Sequence, residues 1–189
     1  DGAVQIDSTV TVGVDDTGYD VKFFGATAGA FMLYDESADT LEVRGPSADA
    51  TTSTGKLKLT TALTDINDND VLGRIDFAAP LEAGGTDAIL AGGAIWGEAE
   101  ATFAADNNST ALVFATNTSA AAAEKMRLDS VGRLGVGCDA PSTYGAINSV
   151  SHSIVIGDTS SGNGNLTIAN STSGNGRIAF TDSADNTNQ

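Results

Sequence analysis

The sequence predicts an all-β protein, and three observations carry that expectation. Short runs alternate polar and apolar side chains, the two-residue period of a strand with one buried face. Between the runs stand Asn, Asp, Gly and Ser, the residues that turn a chain tightly. Near the C-terminus a strand-plus-turn unit repeats every 12 residues from Ile154, Leu166 and Ile178. The expected architecture is a series of β-hairpin and β-sandwich-like modules followed by a β shaft built from the 12-residue repeat.

Residues 1–45 read as an N-terminal hairpin module. Val4, Ile6, Val10, Val12 and Val14 alternate with polar neighbours. Asp15-Asp16-Thr17-Gly18 is a hairpin turn, with Gly18 expected at the position of positive φ. Asp20–Phe24 returns as a strand. Phe31–Tyr34 and Thr40–Val43 flank a second turn, Asp35–Asp39. Phe23, Phe31, Leu33 and Leu41 are expected core. Residues 46–55 hold Pro46 among Ser, Ala, Asp and Thr, with no large apolar residue, and read as a linker.

The central β module is expected over residues 56–141. Lys56–Leu59 resumes as a strand, and Leu72–Phe77 follows. The run from Ala94 to Phe103 presents Trp96, Glu98, Glu100 and Thr102 on one face and Ile95, Gly97, Ala99, Ala101 and Phe103 on the other. The small residues of the second face let another backbone approach closely, so that face is expected to pack on a neighbouring sheet or subunit. Asp106–Ser109 is a turn, Leu112–Phe114 a strand, Lys125–Asp129 an alternating strand, and Arg133–Gly137 another after the Ser130–Gly132 turn. Residues 142–149 form a second linker. Residues 150–189 start the repetitive shaft, each unit carrying apolar residues at its first and third places. The third unit loses its glycines and lacks a polar cap, so the array is expected to continue past Gln189 and the chain to be a fragment or processed product.

Composition turns this architecture toward assembly. The hydrophobic fraction is 41%, but aromatics are only 6%, and Ala supplies much of the remainder. A core of such small side chains is marginal in a monomer, and numerous strands leave open edges. Two inward residues per 12 cannot build a core, whereas three chains packed around one axis can. An intertwined homotrimer is the expected state. The net charge of −16 excludes nucleic acid as a partner, because phosphates require Lys and Arg, and disfavours an anionic membrane surface. No apolar run is long enough to insert in a membrane as a helix. The single cysteine, Cys138, excludes an intrachain disulfide and reads as a buried thiol.

Groups able to carry chemistry each have a plainer reading, which is the expectation. Asp65-Ile66-Asn67-Asp68-Asn69-Asp70 places oxygen ligands at alternate positions as a calcium loop does, but Asp70 and Asp76 stand where an EF-hand needs Gly and Glu; an Asn/Asp turn is expected. Glu98 and Glu100 lie about 7 Å apart along a strand, a spacing of interest for paired carboxylates; a solvated face beside Trp96 is expected. His152, the only histidine, has no nucleophile elbow near it, and nothing orients it toward Cys138. Gly132–Gly137 suggests a dinucleotide loop but lacks the following helix and ribose-binding acid. Asn107, Asn108, Asn117, Asn165 and Asn170 open N-x-[ST] sequons of the kind an Asn/Ser/Thr-rich chain acquires by chance. No catalytic, cofactor-binding or metal residue is predicted, and no enzyme activity.

The run Glu124-Lys-Met-Arg-Leu-Asp-Ser-Val-Gly-Arg-Leu-Gly-Val-Gly137, followed by Pro141, resembles the pattern E-[RK]-M-x-[IL]-x-S-x-G-x-[IVL]-G-[IV]-G-T-x-x-P of tail-fibre and other virion-fibre proteins of tailed bacteriophages, marine phages especially. Cys138 replaces the usual Thr. Residues 21–43, V-K-F-F-G-A-T-A-G-A-F-M-L-Y-D-E-S-A-D-T-L-E-V, resemble an N-terminal module of marine phage structural proteins. The resemblance implies a non-enzymatic, extracellular virion component, built as a trimeric fibre. Its partners would be its own copies, other tail or virion proteins, and a host receptor or glycan met through parts outside this chain. Two other classes stay open: a carbohydrate-binding or polysaccharide-cleaving module with Trp96, Tyr34 or Tyr144 lining a groove, and a capsid decoration or surface-layer protein.

Overall fold

Strands form where the alternating runs find a partner, and fail to form where they do not. A computed structural model describes residue 2, residues 5–143 and residues 154–157. These residues contain nine strands, a single 3-10 turn at Pro141–Thr143, and no α-helix. The chain divides into two compact units, Asp1–Lys58 and Leu59–Gln189; the expected boundary lay within 46–55.

The first unit is an antiparallel meander of β1 (Val21–Phe24), β2 (Phe31–Asp35) and β3 (Thr40–Arg44). The β2–β3 turn is organised by Asp35, whose Oδ1 accepts hydrogen bonds from Ser37 N, Ser37 Oγ and Ala38 N at 3.0, 2.8 and 3.2 Å. The Ser37 hydroxyl, ahead of the opposing cost of burial, holds the Asp35 carboxyl below its usual range. Asp39 takes the left-handed conformation at φ 50°. Expected core positions are not core here: Phe23 and Leu41 are 59% and 62% exposed. The register sets Val21, Tyr34 and Leu41 in one cross-strand row and Phe23, Met32 and Val43 in the next, on the same face. Nothing among the described residues of this unit covers that face.

Two expected strands are absent. Residues 5–13 and Lys56–Leu59 lack ladder partners, and Ile6, Val10, Val12 and Leu57 are exposed. Val14 and Thr17 do bridge, but the positive φ falls on Asp16 (63°) rather than on Gly18; Asp tolerates that conformation at the second residue of so tight a turn. The expected linker 46–55 contains no strand and folds back on β3. A Cβ on Gly55 would lie 1.9 Å from the Val43 carbonyl oxygen.

The second unit is a six-stranded sheet in sequential order: β4 (Val71–Ala78), β5 (Ala91–Ala99), β6 (Thr110–Thr116), β7 (Ala123–Leu128), β8 (Leu134–Val136) and β9 (Ile154–Ile156). All neighbours are antiparallel except β8 and β9, which are parallel. The β7–β8 hairpin is the segment that carries the fibre-like motif. Asp129 closes it, with Gly132 at φ 89°.

Cross-strand rows show how this sheet divides its side chains. One row runs Arg74, Trp96, Val113, Arg127, Gly135, Val155. Its face holds the core: Ala94, Trp96, Ala111, Val113 and Ala115, all under 9% exposed. The wide Trp96 ring sits across from Val113, with Ala111 and Ala115 on either side leaving room for it. Burying one Trp stabilises the fold by roughly 4–6 kcal/mol. The row on the opposite face runs Ile75, Ile95, Phe114, Met126, Val136, Ile156. Ile75, Val136 and Ile156 are 38–42% exposed. The expected solvated face of β5 is therefore corrected: within the chain the Trp96–Glu98 face is buried, and the Ile95–Gly97 face is the more open one. β5 also ends at Ala99, short of Phe103. Of the first repeat unit only residues 154–157 are described; there Val155, at the second place, is buried (9%), while Ile154 and Ile156, at the first and third places, face outward. The rest of that unit and the other two lie outside the described residues.

Candidate functional site

Two features of the second unit stand out, a charged cluster on its buried face and an uncovered apolar surface on the other. The cluster starts from a bulge. β7 would alternate regularly, but its register with β6 shifts between Phe114 and Ala115, leaving Lys125 unpaired. The extra residue puts Glu124 on the same face as Arg127, three positions away, where a regular strand would oppose them. The Arg127 guanidinium then meets three carboxylates. Nε and Nη2 donate to Glu124 at 2.6 Å each, Nη2 also donates to Glu98 at 2.8 Å, and Nη1 lies 3.8 Å from Glu100. These four side chains are 11–20% exposed. The hydrogen bond to Glu124, outweighing burial, raises the Arg127 pKa above its already high ordinary value. Trp96 Nε1 donates to the second oxygen of Glu98 at 2.9 Å, and the Arg74 guanidinium lies 4.7 Å from the Trp96 ring.

The cluster continues into the motif hairpin. Glu100 accepts from Ser130 N at 2.8 Å. Asp129, with a side chain 2% exposed, accepts from Val131 N and Arg133 N at 3.0 and 2.8 Å and from Arg133 Nε at 2.5 Å. Burial works to raise the Asp129 pKa, but the Arg133 and Val131 hydrogen bonds and the Arg133 charge prevail and hold it below the usual carboxylate range. A cavity of about 250 Å³ adjoins the cluster, lined in part by Asp68, Asn69, Glu100, Arg127, Asp139 and Ser142.

The structure brings together Trp96, Glu98 and Glu100 from the sequence candidates, but as a partnered cluster rather than a solvated face. Trp96 is buried and bonded, so it offers no exposed ring for a sugar to stack on. Asp65–Asp70 contains a turn: Asn67 N donates to Asp70 Oδ2 at 2.7 Å, and Asn69 takes φ 71°. Gly132–Gly137 is turn and strand. Cys138 is buried. Asn107 and Asn117 use their amides locally, on Thr102 O and Ala121 O. His152, Tyr144, Asn165 and Asn170 lie outside the described residues. Arg127, Glu124, Arg74 and Asp129 were not singled out from sequence. The one available signal was a pair of opposite charges three apart in an otherwise alternating run.

The second feature is the face left mostly uncovered. Besides the Ile75–Ile156 row it carries Gly73, Gly97, Leu112, Leu128, Leu134 and Ile154 in register, and only at its β4 edge does the Leu59 segment lie over it, at Gly73. None of the paired positions on this face carries a charge. No protein-family model matches the chain, and no curated protein matches it.

Proposed function

We propose that this chain is a non-enzymatic structural subunit of a tailed-phage virion, a segment of a homotrimeric fibre that extends from the particle and supports attachment to the host. One observation carries the reading: each of its two sheets leaves an apolar, charge-free face open, in a chain whose net charge is −16. A sheet is stable when its apolar face is covered, and a meander of only three strands is at the lower limit of independent stability. Copies of the chain arrayed along an axis would supply it. The fibre-like motif supports the same reading, because its residues build the β7–β8 hairpin and supply Glu124, Arg127, Asp129 and Arg133 to the charged cluster, each with a partner. In this reading the first unit attaches or extends, the second through β8 is a rigid node, and its last strand, β9, begins a shaft. Host recognition belongs to parts beyond this chain.

Native mass spectrometry of the full chain, with antibody mapping on purified particles, tests the proposal. A three-copy mass and labelling on a projecting fibre are the expected results. A stable single copy, or labelling spread over the capsid surface, overturns it.

A further inference from the structure

We infer that copies of this chain meet through the open face of the six-stranded sheet, with side-chain knobs of one copy seated over the glycine hollows of another. The inference rests on the proposed self-assembly and names the surface that performs it. Three observations converge on it.

The first is extent. From the exposed fractions of Ile75, Phe77, Leu112, Leu128, Val136, Ile154 and Ile156, the face offers roughly 600–700 Å² per copy, approaching the ~800 Å² per partner of a stable interface. The second is charge. Copies that each carry −16 repel, so they can approach closely only where charge is absent, and the paired positions here have none. The third is the glycine pattern. Gly93 and Gly97 sit within β5, where glycine weakens a strand. Neither has a positive φ. An added Cβ would meet its nearest neighbours at an ordinary 3.7 Å in both cases. At Gly93 the chain's own Phe77 ring lies alongside, whereas at Gly97 only the Thr110 methyl is within 4 Å, so Gly97 is the open hollow; the chain's own packing does not require glycine there, whereas close approach by another copy does. Phe77 and Leu112, 58% and 43% exposed, are the neighbouring knobs. A face holding both knobs and hollows can pass its knobs to the hollows of the next copy around a three-fold axis, which identifies the occupants as other copies of this chain.

The test compares three variants of the full chain by analytical ultracentrifugation across a concentration series, with circular dichroism to check folding. Leu128→Lys puts a charge in the centre of the face. Gly97→Val fills a hollow with a residue that suits a strand. Leu81→Lys makes the same chemical change at a loop site that is 97% exposed. The expected result is assembly of the wild type and Leu81→Lys, and weakening of about a hundredfold or more in Leu128→Lys and Gly97→Val, with the β-sheet spectrum retained. If both face variants assemble as the wild type does, this surface is the wrong one while self-assembly stands. A wild type that stays monomeric overturns both readings. A monomer that Leu128→Lys unfolds would instead point to residues 158–189 of the same chain as the cover, and overturns the inference.

Discussion

Arg127→Met tests whether one guanidinium holds the buried face of the second unit together. Met keeps the apolar stem and removes the charge. Glu98, Glu100 and Glu124 then share a confined site without a counter-charge, and Glu98 retains only the Trp96 N–H. Exposure sets the magnitude. Freely solvated pairs contribute under about 1 kcal/mol, and breaking a fully buried pair costs about 3–5 kcal/mol. Side chains 11–20% exposed fall nearer the second limit, so about 3 kcal/mol is expected at neutral pH, or roughly 10 °C in melting temperature. Trp96 is the only tryptophan and is bonded to Glu98, so its fluorescence follows the loss directly. Melting within about 2 °C of wild type would refute the assigned role.

Asp129→Asn removes the carboxylate that accepts from two backbone N–H groups and from Arg133, and is expected to cost about 2 kcal/mol at neutral pH by urea titration. Because the folded-state pKa of Asp129 is lowered, its contribution is complete above the unfolded value of about 4 and disappears as pH falls through the folded value. Wild type and Asp129→Asn should therefore converge in stability below about pH 4, and parallel pH profiles would count against the assignment. Gly73→Ala would place a Cβ 2.6 Å from the Leu59 carbonyl oxygen and 2.8 Å from the Leu59 Cβ. A loss of about 1–3 kcal/mol is expected from that overlap, and an unchanged melting curve would show that the segment at Leu59 does not pack there.

Strand existence was legible in the sequence because alternation and turn chemistry are local. Phe31–Asp35, Thr40–Arg44 and Val71–Ala78 fall within a residue of their expected positions. What local pattern could not supply was pairing. Val10, Val12 and Leu57 alternate as well as any strand here, yet remain outside the sheets, since a strand requires a neighbour and no sequence period names one. The Trp96 face of β5 was assigned wrongly for a related reason. Glu98 and Glu100 suggest water, unless Arg127 is known to lie two strands away on the same side. The charged cluster was out of reach because it depends on an unpaired Lys125, and an irregularity in register leaves no mark on composition. The turn-and-strand reading of Lys125–Gly137 located the hairpin without indicating what that hairpin does.

That irregularity also accounts for how the second unit keeps its faces chemically distinct. With strict alternation along β7, Glu124 would share a side with Met126 and Leu128, placing a carboxylate in the middle of the apolar face. The extra residue at Lys125 turns Glu124 toward Arg127 instead. Glu98 and Glu100 reach the same guanidinium from β5 and its end, and Asp129 is consumed by its own turn. Charge is thus gathered on the side that the chain seals with Trp96 and its own salt bridges, and withheld from the side left open. A soluble monomer gains nothing from this arrangement, since its open face would be better served by the carboxylates that β7 diverts. A subunit that buries the open face against its own copies requires it, because one unpaired carboxylate carried into such an interface by each copy would cost more than several of the leucines there contribute.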